Sequence, residues 1–369
     1  MNKRETYLWL YGVVGCGNST IDKIDNQCNN IEEIFDFSVK TIYNLEGVRE
    51  SIKKRIVDLR SRAHFDNYIE DLYRRNIIYT IIGDSDYPEK LQQIYDAPKV
   101  LYYKGNIDRL NENLSIAIVG SRKNTIYGKE CTKKISSELT GCGVNIISGL
   151  AIGIDAIAHE ACVNSGGYTV GVLGSGLDKP LPKTNIWLMN SIVENGGAVI
   201  SEHSINKIVK PYYFASRNRI ISGLSEGVVI VEAAEKSGAV ITAELAAEHG
   251  RNVFAVPGSI FSDMSRGCHK LIKDGAKPVS TIEDIIEEYS IFNEENEKNN
   301  TSDNLLKNFE IDFESSIIIK LLKENGEMSK NKICETADIN IERVNPIIEK
   351  LKLYDIIFES GNDRYNLRI

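Results

Sequence analysis

Four basic residues of this chain stand at glycine-rich or strand-flanking turns. They are Arg122 in Gly120-Ser121-Arg122, Lys183 in GSGLDKPLPKTN (174–185), and Arg217 and Arg219 on either side of Asn218. Guanidinium and ammonium groups hold anions, and glycine turns present backbone N–H groups that do the same. Further turns of this kind occur at Gly149, at Gly174 and Gly176, and at Ser237-Gly238; Asn185 follows Lys183 closely. Dispersed cations joined to backbone nests suit a row of phosphates better than a single pyrophosphate. A single-stranded polynucleotide fits that description.

Other chemistries find less support. G-x-G-x-x-G is absent after the first apolar run, and no acidic residue stands where a ribose needs one, so NAD is not expected. Gly120 and Gly128-Lys129-Glu130 are too far apart for a P-loop, and the string ends in Glu. The G-x-S-x-G string of a hydrolase nucleophile elbow is not expected either. Asp155 and His159 lie one helical turn apart but lack a third ligand at metal spacing, so capping and packing are the expected roles. His203, beside Glu202, is a weak candidate for a general base. No catalytic residue, metal or cofactor is expected.

The elements that must position the cations follow from periodicity. Apolar, β-rich runs occur at 115–119, 144–147, 169–173, 198–200, 227–231 and 252–256, with helical patterns between them. Near-continuous apolar strands alternating with helices predict an α/β, Rossmann-like, doubly wound parallel sheet. Ligands bind such sheets at the carboxyl ends of the strands, where the glycine turns and cations fall. Residues 1–85 read as helical, with turns at LYGVVGCGNST and at Leu45-Glu46-Gly47-Val48, the second before a long helix, in the manner of a helix-hairpin-helix or SAM-like domain or a plain helical bundle. The Rossmann-like domain is expected over 86–290. A connector, 86–106, contains a short extended run at Val100–Tyr103. The polar segment 291–304 reads as a linker, and 305–369 as a winged helix closing on a hairpin at Gly361-Asn362-Asp363.

Composition sets the outer bounds. The chain has 369 residues, 42% hydrophobic and 26% charged, and a net charge of −8, so any contact with nucleic acid must come from a local basic patch. No apolar run reaches membrane-span length, and the start, MNKRETYLWLYGVVGCGNST, is broken by Tyr and Gly. Seven scattered cysteines without C-x-x-C predict reduced thiols and a cytoplasmic protein.

Taken together, YPEKL…DAPKVLYYKGN, AIVGSRKNTIYG, IISGLAIGIDAIAHEA, GYTVGVLGSGLD, GAVISE, FASRNRIISGLSEGVVIVEAAEKSGAVITAELAAEHGRNVFAVPG and GCHKLIKDGA resemble the DprA/Smf family of bacterial natural transformation. The resemblance covers about 85–290. It implies a non-enzymatic single-stranded DNA-binding protein that protects incoming strands, loads the RecA recombinase and forms a homodimer through the Rossmann-like domain. It also implies DNA contacts by Arg122, Lys183 and Arg217-Asn218-Arg219. Four positions depart from the family pattern. Leu181 stands where a Tyr is usual, Ala215 where a Pro is, Asp96-Ala97-Pro98 replaces a double proline, and His269 replaces an Asn. The Leu181 change removes one aromatic surface for base stacking.

Two other readings belong to different classes. The same sheet variant resembles nucleoside-monophosphate phosphoribohydrolases, but Lys236-Ser237-Gly238-Ala239 lacks their Pro-Gly-Gly-x-Gly-Thr turn. A regulatory adaptor would read duplex DNA through the winged helix. Against it, residues 303–369 carry ten Lys and Arg against thirteen Asp and Glu. The candidate recognition helix also contains Glu342, Pro346 and Glu349.

Overall fold

The computed structural model describes residues 1–289, 315, 318–319, 321–322, 325–337, 339–353, 356–361 and 363–368. The expected linker, 291–304, and Asn362 at the hairpin tip lie outside the described residues. The chain divides into two compact units, Met1–Ile285 and Ile286–Ile369.

The first unit is built on a nine-stranded sheet. Its strands are β1 (Ile78–Ile81), β2 (Val100–Gly105), β3 (Ser115–Val119), β4 (Asn145–Ser148), β5 (Thr169–Val172), β6 (Ala198–Ser201), β7 (Gly227–Ile230), β8 (Asn252–Ala255) and β9 (Lys277–Pro278). Their order is β1-β2-β6-β5-β4-β3-β7-β8-β9. Strands β3 to β9 pair in parallel, whereas β1–β2 and β2–β6 pair antiparallel. From β3 the chain winds outward through β4, β5 and β6, then returns to β7 on the other flank of β3. The winding therefore reverses between β3 and β7, and a crevice opens at their carboxyl ends. The central strands are fully buried because helices cover both faces, which is why they read as unbroken apolar runs.

The antiparallel extension has a different cover. Along β2, Val100 and Tyr102 pack with the N-terminal helices, while Leu101 and Tyr103 pack with the main sheet core. That alternation is the period of two that a pleated strand imposes. The Tyr68 hydroxyl donates to Tyr102 Oη at 3.0 Å across the same contact. The helices before residue 85 and the sheet therefore share one core, and β1 itself comes from the stretch read as helical.

Within that helical layer the expected long helix after Val48 is two helices, Glu50–Leu59 and Arg62–Arg74. Ser61 separates them and caps the second through its contact with the His64 N–H. The second unit contains helices Lys330–Ala337 and Ile341–Leu353 and a three-stranded antiparallel sheet. That sheet has the order β10 (Met328–Ser329), β12 (Arg364–Leu367), β11 (Ile357–Gly361), around its own apolar core. Pro346 lies inside Ile341–Leu353 without ending it.

Candidate nucleic-acid interface

The turn after β3 looks like an anion site, because it leads into the N-terminus of helix Ile126–Gly141. The protein fills that position itself. Glu232, just past β7 and 2% exposed, accepts hydrogen bonds from the Thr125 N–H at 2.8 Å and the Thr125 hydroxyl at 2.6 Å. A Cβ on Gly128 would collide with the Glu232 carboxylate, so glycine is what lets the carboxylate approach the helix end. An internal carboxylate thus takes the helix N-terminus that binds phosphate in other folds of this class.

The external site lies next to it. A cavity of about 480 Å³ opens at the β3 and β7 ends. Gly120, Ser121 and Arg122 line one side, Arg217 and Asn218 another, and Ser237 and Gly238 a third. The Ser121 N–H donates to the Glu232 carbonyl at 2.8 Å and its carbonyl accepts from the Ile154 N–H at 3.2 Å, which anchors the β3 turn. Arg122 is exposed and makes no ion pair or hydrogen bond among the described residues. Lys123, beside it, also lines the cavity.

Arg217 is only 4% exposed. One terminal nitrogen donates to the carbonyls of Gly149 and Val172, which clamps the side chain against the ends of β4 and β5. Burial lowers its pKa to about 10, with Asp155 opposing and Arg122 reinforcing, so it remains a cation at neutral pH. Its Nε has no hydrogen-bond partner among the described residues, and neither has the Ser237 hydroxyl. Helix Gly238–Glu248 begins at Ser237 with no side-chain cap, so its first N–H groups stay open toward the cavity. These groups are all donors, the kind of group an anion accepts from.

Asp155 lies in the first turn of helix Ile154–Asn164, where the dipole favours it. Burial raises its pKa, and Arg217 is the largest influence in the other direction. A Cβ on Gly149 would strike the Asp155 carboxylate and come within 2.6 Å of Arg217, both buried and fixed. Gly149→Ala should therefore cost about 1–3 kcal/mol by overpacking. Urea unfolding checks this; a wild-type midpoint would show that the two side chains retreat freely.

The remaining expected site residues fall elsewhere. Lys183 is exposed, without an ion pair among the described residues, and does not line this cavity. Asn185 is buried, and its side-chain amide donates to the Leu150 carbonyl at 3.0 Å. Gly174 and Gly176 pack against Phe214 and Asp178 rather than lining the cavity. Asn218 lines it while donating to the Gly238 carbonyl at 3.2 Å, which steadies the helix start. Arg219 points away into an internal ion pair, 2.6 Å from Glu202 and 3.2 Å from Asp96. Of the four cations expected at the strand ends, two, Arg122 and Arg217, line this cavity: Arg219, two residues past Arg217 at the start of helix Asn218–Gly223, faces a different side, and Lys183 stands on a separate turn after β5.

Groups suited to catalysis are occupied or remote. His159 pairs with the Thr169 hydroxyl at 2.7 Å, and burial lowers its pKa to about 3. His203 lines a different groove. Gly223-Leu224-Ser225-Glu226-Gly227 does match G-x-S-x-G, contrary to the expectation that no elbow string is present. It runs from a helix end into β7, the reverse of a strand-to-helix elbow. Its buried Ser225 donates to the Ile221 carbonyl at 2.9 Å. No group of three metal-binding side chains occurs among the described residues, and none of their helices is long and apolar enough to cross a membrane.

Comparison with known proteins gives a consistent pattern. The family described as DNA recombination-mediator protein A matches residues 78–290. The DNA processing protein DprA of Bacillus subtilis is 44% identical over 217 residues, 58% of this chain and 73% of that protein. Protein Smf of Escherichia coli is 43% identical over 57% of this chain and 56% of its own length. Among solved structures, DNA processing protein A of Streptococcus pneumoniae superposes with a TM-score of 0.68 at 36% identity, covering 78% of this chain and 99% of that one. DNA processing protein A of Helicobacter pylori, whose structure is described in terms of a single-stranded DNA binding mode, has a TM-score of 0.52 at 30% identity. That match covers 58% of this chain and 96% of the other.

Proposed function

Because the chain belongs to the DNA recombination-mediator protein A family, we propose that the cavity at the β3 and β7 ends grips the backbone of single-stranded DNA. The observation that carries this reading is the set of unsatisfied groups in one cavity. A clamped buried guanidinium has a free Nε, Ser237 opens a helix without capping it, and Arg122 is unpaired. All are donors or cations, which select an anion such as a backbone phosphate. Lys183, outside the cavity, is a further contact along the strand. The protein protects single strands, hands them to the RecA recombinase during transformation, and acts in the cytoplasm as a homodimer through the sheet domain. It performs no hydrolysis: Arg122, Lys123, Asp155 and Arg217 are the ionisable groups at the cavity, with no nucleophile–base pair.

The test compares single- and double-stranded oligonucleotides of equal length in a gel shift. Single strands should bind more tightly. Arg122→Glu should weaken that binding roughly tenfold or more and flatten its salt dependence, since one released counterion is lost per phosphate contact. Unchanged affinity in Arg122→Glu sinks the assignment.

We assign the second unit a protein-contact or regulatory role, as a winged helix dispensable for single-strand binding. Its excess of acidic over basic residues opposes a phosphate-facing surface. A chain ending near residue 295 should keep its single-strand affinity within a few-fold. Abolished binding in that truncation would relocate the site.

A further inference from the structure

Segment Pro211–Arg219 is a wall with two sides. Pro211, Phe214 and Arg217 line the strand-end cavity. Tyr212, Tyr213 and Arg219 line a second groove of about 320 Å³. The far side of that groove is made by the N-terminal helical layer, including Tyr11.

The chemistry of this groove is unlike that of ordinary surface. His203 is 5% exposed, yet neither ring nitrogen has a hydrogen-bond partner among the described residues. Leaving polar atoms buried and unpaired is costly, so a buried imidazole of this kind points to a missing ligand. Its ring lies 4.1 Å from the Tyr213 ring, and Tyr212 meets Tyr213 edge-on at 4.7 Å. Tyr212 is 59% exposed, so the aromatic ladder ends in a ring open to solvent. The Lys207 ammonium sits over Tyr11 at 5.6 Å and over Tyr213 at 5.4 Å. It makes no ion pair or hydrogen bond among the described residues, whereas the charge of Arg219 is already matched by Glu202 and Asp96. Lys207 is thus a cation with room for an anion.

We propose that this groove is a second subsite for single-stranded DNA, reached by the same strand that occupies the first cavity across the shared wall; the inference rests on the single-strand reading above. A base stacks on Tyr212, a phosphate meets Lys207, and His203 hydrogen-bonds the edge of a base. Stacking of this kind tolerates any base, because each has a π-face. It also supplies an aromatic surface that Leu181 does not. An acidic peptide would satisfy Lys207 but leave the open ring and the imidazole unused.

The full-length chain is mixed with oligothymidylates carrying 5-iodouracil at successive positions and irradiated. Crosslinks should map to Tyr212 or Tyr213. Tyr212→Ala, a change at an exposed ring that leaves the core intact, should weaken long oligothymidylates about tenfold. Lys207→Ala should do so less strongly, and the shortest strands that still depend on Arg122 should bind both variants as they bind wild type. Crosslinks confined to the strand-end cavity, with Tyr212→Ala unchanged, overturn the second subsite and leave the first standing. Strand binding that is absent, or indifferent to Arg122→Glu, overturns both.

Discussion

Arg219→Ala should destabilise the protein by about 3–5 kcal/mol, the usual effect of removing one partner from a buried ion pair. The guanidinium is 11% exposed and the Glu202 carboxylate 8%, so the substitution strands a carboxylate away from water. Asp96 is 56% exposed and adds little. The melting temperature should fall by roughly 10 °C, taking a few degrees per kcal/mol for a unit of this size. The double variant Arg219→Met with Glu202→Leu should recover most of the loss, because apolar side chains of similar volume replace both charges. Thermal melts of the wild type and both variants check this. A wild-type melt for Arg219→Ala, combined with reduced strand binding, would make Arg219 a DNA contact instead of an internal strut.

That contrast marks where the sequence stops being legible. Gly120-Ser121-Arg122 and Ser237-Gly238 could be placed at strand ends because the runs at 115–119 and 227–231 are buried on both faces and read as unbroken apolar strands. Which cations are free could not be read, since pairing is settled by residues far along the chain. Asp96 is 123 positions from Arg219, and Glu232 is 107 from the Thr125 it holds. The same limit hid β1. Ile78–Ile81 follows a helix directly and is half exposed at its start, so it shows neither a clean alternation nor an apolar run. The break at Ser61 escaped for a local reason, because the apolar periodicity continues across the cap.

Acid should unfold the protein through histidines that are buried uncharged. Burial lowers the pKa of His159 from 6.5 to about 3, with Arg217 reinforcing. It lowers that of His203 to a similar value, with Lys207 and Arg219 adding to the effect. The unfolded chain takes up both protons as pH falls below 6.5, while the folded chain refuses them until about 3. The unfolded state therefore binds more protons throughout that window, and stability drops as pH falls. Each histidine contributes about 1.4 kcal/mol per pH unit, so the pair removes on the order of 5 kcal/mol by about pH 4.5. That is comparable with the whole stability of a typical domain. His249, shifted the same way by burial, adds to the loss. Asp155 works in the opposite sense, because its raised pKa lets the folded state take a proton first. Urea unfolding between pH 7 and about pH 4.5 measures the slope. A flat profile would mean that both rings take up their protons in the folded protein, and half the slope that one of them does. His203→Phe separates the contributions: it keeps the stack on Tyr213 and removes two unpaired nitrogens, so stability near pH 7 should hold or rise while the acid slope falls by about half.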